Sequence, residues 1–145
     1  MRGNRGLLIM MVTLVVACAG HSGKANGSAS VEPGQVALTG VNWRLITLGD
    51  LSPVQSTTGI DLSLNLTSQR NVSGYSGCNQ FTGTYTVNGD TLRFGPLATT
   101  RVACQGSTRL EQQYLQALAA INRYVLTSDS LTLFQGSAPI AVYKR

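Results

Sequence analysis

Short runs in which apolar and polar residues alternate, each closed by a turn residue, restrict most of this chain to strands. Ile60, Leu62, Leu64 and Leu66 alternate with Asp61, Ser63, Asn65 and Thr67, so one face of an extended segment meets a core and the other meets water. Phe81, Tyr85 and Val87 alternate with Thr82, Thr84 and Thr86; Asn88-Gly89 follows directly, and Leu92 and Phe94 return. Asn-Gly between alternating runs predicts a hairpin, because the central residues of primed turns need positive φ. A first strand is expected in Leu38–Leu48 with Val41, Trp43 and Leu45 on one face, and two more near Leu131–Phe134 and Ile140–Tyr143. Such strands between turn signals are an all-β signature.

One segment breaks the period of two. Thr108 and Glu111 have the spacing of a capping box, and Leu110, Tyr114, Leu118, Ile121 and Val125 recur at helical spacing. One amphipathic helix reaching about Tyr124 is therefore expected, with a stripe that needs burial. A curved sheet wrapped around that helix is the economical answer, which puts the chain in the α+β class, mainly antiparallel β.

The 145 residues suffice for one compact domain. At the N-terminus, Arg2 and Arg5 precede the apolar run Leu7–Val16, then Ala17 and Cys18. A ten-residue run is too short to span a hydrocarbon core, which takes about 20, but it fits the middle of a secretory signal. The VVAC ending resembles the bacterial lipobox. Residues 1–17 are accordingly expected to be a lipoprotein signal peptide and Cys18 a diacylated mature N-terminus, a stable membrane attachment. Ala19 in place of Asp favours the outer membrane, facing the periplasm, if the host is Gram-negative. Residues 18–37, rich in Gly, Ser and Ala, read as a flexible tether that includes the lone His21 and Glu32.

Removing Arg2 and Arg5 from the 11 Lys/Arg leaves 9 against 6 Asp/Glu, a net charge of +3 without a basic run. Nucleic acid is therefore not an expected partner. A single His argues against His-based metal clusters, and neither a metal nor a cofactor is expected. The domain acids Asp50, Asp61, Asp90, Glu111 and Asp129 read as loop, wet strand face, hairpin turn, helix cap and turn. None has a partner at acid–base spacing, and no nucleophile elbow or phosphate loop is present, so the chain is not expected to be an enzyme. Cys78 and Cys104 are an even pair in an exported domain without Cys-x-x-Cys spacing, which reads as a structural disulfide.

The stretch Ser73–Cys104 carries Gly77-Cys78-Asn79-x-Phe81-x-Gly83-x-Tyr85, then Gly95-Pro96-Leu97 and Thr100-Arg101-x-Ala103-Cys104. It resembles the core motif of the META domain family, which includes bacterial heat-shock proteins of the HslJ type. The likeness extends over residues 38–145, with GVNWRL at the start and VYKR at the end; Val102 stands where many members carry Met. The resemblance implies a β-meander bent into a half-barrel around a single helix, and no catalytic chemistry. Related domains occur in envelope lipoproteins and in proteins linked to stress response, secretion and motility. Gly77, Gly83 and Gly95 are read as serving tight backbone geometry beside Pro96, and Phe81, Tyr85 and Phe94 as filling the concave side. Asn79 is read as bonding a loop or facing a ligand, and Arg101 as tying down loop carbonyls or binding an anion. The expectation is a membrane-anchored, non-catalytic module for binding or envelope maintenance, with an unknown envelope protein as partner. The alternative is a carrier of a lipid or hydrophobic small molecule in a half-barrel cavity.

Overall fold

A computed structural model describes residues 37–145. The signal peptide, Cys18 and nearly all of the tether expected from the sequence lie outside the described residues. The described chain forms β1 (Asn42–Leu48), β2 (Ser63–Leu66), β3 (Asn71–Tyr75), β4 (Gln80–Asn88), β5 (Thr91–Phe94), β6 (Ala98–Thr99), α1 (Thr108–Ala120), β7 (Arg123–Leu126), β8 (Ser130–Gln135) and β9 (Ala138–Lys144). Every strand pairing is antiparallel.

The expected half-barrel is corrected: the barrel closes. The ring runs β3-β2-β1-β9-β8-β7-β5-β4, and β4 pairs back onto β3, with β6 attached outside the ring to β4. The β3–β4 seam is strong, five residue pairs from Asn71↔Thr84 to Tyr75↔Gln80. The opposite seam is thin: β5 meets β7 at Thr91↔Arg123, reinforced by Leu92 N–H to Asn122 O (3.3 Å) and Tyr124 N–H to Asp90 O (2.9 Å). Closure depends on strands that the alternation does not reveal. Gly74 interrupts β3, and Arg123–Leu126 continues the helical spacing of α1 although it is strand.

Local chemistry shifts other boundaries. Ile60 is 56% exposed and β2 begins only at Ser63, whereas Leu62, Leu64 and Leu66 are buried. In the hairpin, Asn88 pairs with Thr91, so Gly89-Asp90 forms the turn, one residue later than Asn88-Gly89. Only Gly89 has positive φ (57°), at the first central position as in a type II′ turn.

Helix α1 is shorter than its periodicity suggests. Ile121 is extended (φ −67°, ψ 149°), which ends the helix before Val125. Tyr114 and Leu118 are buried, whereas Arg109, Gln112, Gln113, Gln116 and Ala119 are exposed, so the helix seals the barrel with one face and keeps the other wet.

The interior is filled. Trp43, Phe81, Tyr114 and Tyr143 are at most 1% exposed and pack with Leu62, Leu64, Leu66, Leu92, Leu118, Leu131 and Leu133. Phe81 meets Tyr114 edge-on, with ring centroids 5.9 Å apart. The polar tips all find partners: Trp43 Nε1 donates to Leu38 O (3.0 Å), Tyr85 to Thr67 O (2.7 Å) and Tyr114 to Ser63 O (3.1 Å). The concavity that a lipid carrier needs is thus occupied by side chains of the protein itself.

Candidate functional site

The motif residues of β3, β4 and the segment after β6 gather at one corner of the barrel. Gly77 adopts φ 103°, a left-handed conformation that glycine tolerates, and lets Ser76–Asn79 fold tightly enough for Ser76 N–H to reach Asn79 O (2.8 Å). That turn buries the Asn79 side chain, 6% exposed, beneath the segment Thr100–Cys104. Asn79 Oδ1 accepts from Val102 N–H (2.7 Å) and from the Thr100 hydroxyl (2.8 Å). Its Nδ2 donates to Val102 O (3.3 Å) and to Glu111 Oε2 (3.1 Å). One side-chain amide thus pairs with both backbone groups of Val102, as a neighbouring strand would.

Glu111 completes the node from α1. The capping box does not form: the N-cap is Ser107, without a side-chain cap bond, and Thr108 is already helical. The Glu111 carboxylate instead turns to the barrel, with Ser76 Oγ 2.7 Å from Oε1. The same hydroxyl lies 2.7 Å from Asn79 O. Among the described residues no buried side-chain polar atom lacks a partner. A disulfide joins Cys78 to Cys104, with Cα atoms 5.9 Å apart, and fixes the far end of the segment.

Other motif residues allow backbones to approach closely. A Cβ on Gly83 would lie 2.7 Å from both Leu97 Cδ2 and Pro96 O, and one on Gly95 would lie 2.9 Å from Thr84 Oγ1. The Gly95–Leu97 segment therefore rests directly on β4.

The outer side of this corner is different. Thr100, Arg101, Val102 and Ala103 are all exposed, Val102 by 61%. Among the described residues the ion pairs are Arg44–Asp61 and Lys144–Asp129; Arg101 joins neither and makes no side-chain hydrogen bond. The arrangement holds a backbone rigidly from inside and leaves a cation and an apolar side chain outside. The clamp itself left no local signal in the sequence, since Asn79, Val102 and Glu111 come from three separate segments.

A second external feature runs along α1. A depression of about 540 Å³ is lined by Leu48, Asp50, Leu51, Gln113, Gln116 and Ala117, among others, and adjoins a smaller one reaching Arg109. No group of three or more His, Cys, Asp or Glu among the described residues is placed to hold a metal. No helix of the described chain is long and apolar enough to cross a membrane.

Comparison with known proteins agrees with the motif. The META domain model matches residues 36–145. A solution structure of a protein from Burkholderia xenovorans is 27% identical with a TM-score of 0.62, covering 85% of this chain and 97% of its own. A second solution structure is 23% identical with a TM-score of 0.56, covering 71% of this chain and 87% of its own, and shares the fold. No curated protein matches the sequence. With the family model covering the barrel, the helix and the clamped corner, the chain belongs to the META domain family.

Proposed function

We propose that the chain is a lipid-anchored protein of the bacterial envelope whose META domain binds a partner at its surface and catalyses nothing. The observation that carries this reading is the clamp at Asn79, which spends the polar groups of the family motif on holding Thr100–Cys104 while Arg101 and Val102 face solvent. A fixed, exposed segment lowers the ordering cost of association, which is what a recognition surface needs. The filled interior supports a binding mode outside the barrel. Anchoring at Cys18 would keep that surface within reach of one membrane: about twenty tether residues span roughly 25 Å if flexible.

The test is site-specific photo-crosslinking in intact cells, with the reactive group at Val102 in one strain and at Gln113 in another. A discrete crosslinked partner at either position, lost in Cys18→Ser, is expected. Saturable turnover of an envelope substrate by the purified protein, or full rescue of a deletion phenotype by the unlipidated Cys18→Ser form, would overturn the reading.

A further inference from the structure

A closed barrel has no free edges, yet this one keeps one outside its ring. β6 pairs with β4 on one side (Phe81↔Thr99, Thr82↔Ala98) and has no strand on the other among the described residues. Its two ladder residues understate its length. Thr100 N–H continues the ladder to Gln80 O (3.0 Å), and the Asn79 side chain takes over as a surrogate strand for Val102 N–H and C=O. In an antiparallel ladder alternate residues turn their backbone groups to the same neighbour. Thr100 and Val102 face β4 and Asn79, so Thr99 and Arg101 present theirs to the open side.

We propose that Ala98–Val102 is a docking edge that takes an extended peptide segment of a partner as an additional strand, with an acidic side chain of that segment set against Arg101. The proposal deepens the surface-binding reading and rests on it. Strand addition draws affinity from main-chain bonds and specificity from alternate side chains. Three features fit that mode: the edge is held before binding by Asn79 and the Cys78–Cys104 bridge, Arg101 has no acidic partner among the described residues, and Val102 offers apolar surface. The same charge counts against a second copy of the chain as occupant. Two such edges paired antiparallel would bring their Arg101 side chains onto neighbouring positions, where like charges repel.

The experiment follows the amide signals of the ¹⁵N-labelled chain, as the host exports it and in detergent micelles, against a blocked seven-residue peptide of alternating threonine and valine with one central glutamate. Shifts centred on Ala98–Val102 and slowed hydrogen exchange at Thr99 and Arg101 are expected. A central lysine should weaken binding about fivefold, and Arg101→Glu should reverse that preference. Thr99→Pro removes an outward N–H and no ladder bond, so it should abolish binding while the melting temperature holds. Equal binding of a peptide with alternate amides methylated, no shift at about 5 mM peptide, shifts centred on Gln113 and Gln116, or the same shifts on raising protein concentration alone would each overturn the proposal. A crosslinked partner at Gln113 together with a silent edge would discard the edge and leave the surface-binding reading standing.

Discussion

Asn79 holds Val102 by both of its backbone groups, accepting the N–H at 2.7 Å and donating to the C=O at 3.3 Å. Because the same amide also donates to Glu111, Asn79→Ala should leave Val102 N–H and one carboxylate oxygen short of partners. The expected loss is about 2 to 3 kcal/mol, read as a lower urea midpoint with faster hydrogen exchange at Val102. Asn79→Asp should cost more at neutral pH, since it sets a second carboxylate beside Glu111, and should recover partly on acidification. An Asn79→Ala protein with wild-type exchange at Val102 would show that the clamp does not hold the segment.

Gly74 lies opposite Phe81 across the β3–β4 seam, and the ring covers the position a side chain would take. A Cβ there would collide with Ser63 O and come within 2.5 Å of Phe81 Cζ. Backbone cannot yield as a flexible side chain does, so Gly74→Ala should destabilise by about 3 kcal/mol or prevent folding. Gly95→Ala meets mainly the Thr84 hydroxyl and should cost about 1 kcal/mol. Thermal melts of the two variants check the order.

That seam also explains what the sequence could and could not reveal. Alternation marks Trp43 and Leu45, and Leu62 to Leu66, as core, because burial of one face imposes a period of two on the residues themselves. Closure is not a property of any one strand. It requires β3, where Gly74 leaves room for the Phe81 ring and carries no hydrophobic mark, and β7, whose Val125 extends the stripe of α1 but is 41% exposed. Glu111 sits at capping-box spacing whether its carboxylate turns to its own helix or to Ser76 and Asn79. Only the partners, 35 and 32 residues away, decide which. The Cys78–Cys104 bridge is legible because residues 38–145 hold two cysteines, which leave one pairing within the domain.

The bridge and the clamp hold the same segment by different physics. Reduction relaxes the unfolded chain, and for residues 26 apart the chain-entropy model gives a loss of about 3.5 kcal/mol. The native segment should nevertheless stay in place, since Asn79 still bonds Val102. Reduced wild-type protein is therefore expected to melt lower yet keep a protected Val102 amide. Reduced Asn79→Ala should lose that protection. Loss of protection on reduction alone would assign the holding role to the bridge.

Tyr143 donates to the Tyr114 hydroxyl at 3.2 Å, and Tyr114 in turn donates to Ser63 O, so two phenols share one buried chain of hydrogen bonds. Burial pushes both well above the ordinary value of 10.0, because a phenolate in the core would lose its hydration. The folded protein therefore holds these protons more tightly than the unfolded chain. Their contribution is complete below pH 10 and is lost as the pH rises above it, by up to about 1.4 kcal/mol per unit for each phenol. Tyr143→Phe removes one of the two, leaves Tyr114 bonded to Ser63, and should make the alkaline fall shallower at little cost near pH 7. Tyr114→Phe strands Ser63 O and the Tyr143 hydroxyl and should cost about 1 to 2 kcal/mol even at neutral pH. Urea denaturation followed by far-ultraviolet circular dichroism from pH 7 to 11.5 separates the two variants, and an unchanged alkaline slope in Tyr143→Phe would show that the buried pair does not govern alkaline unfolding.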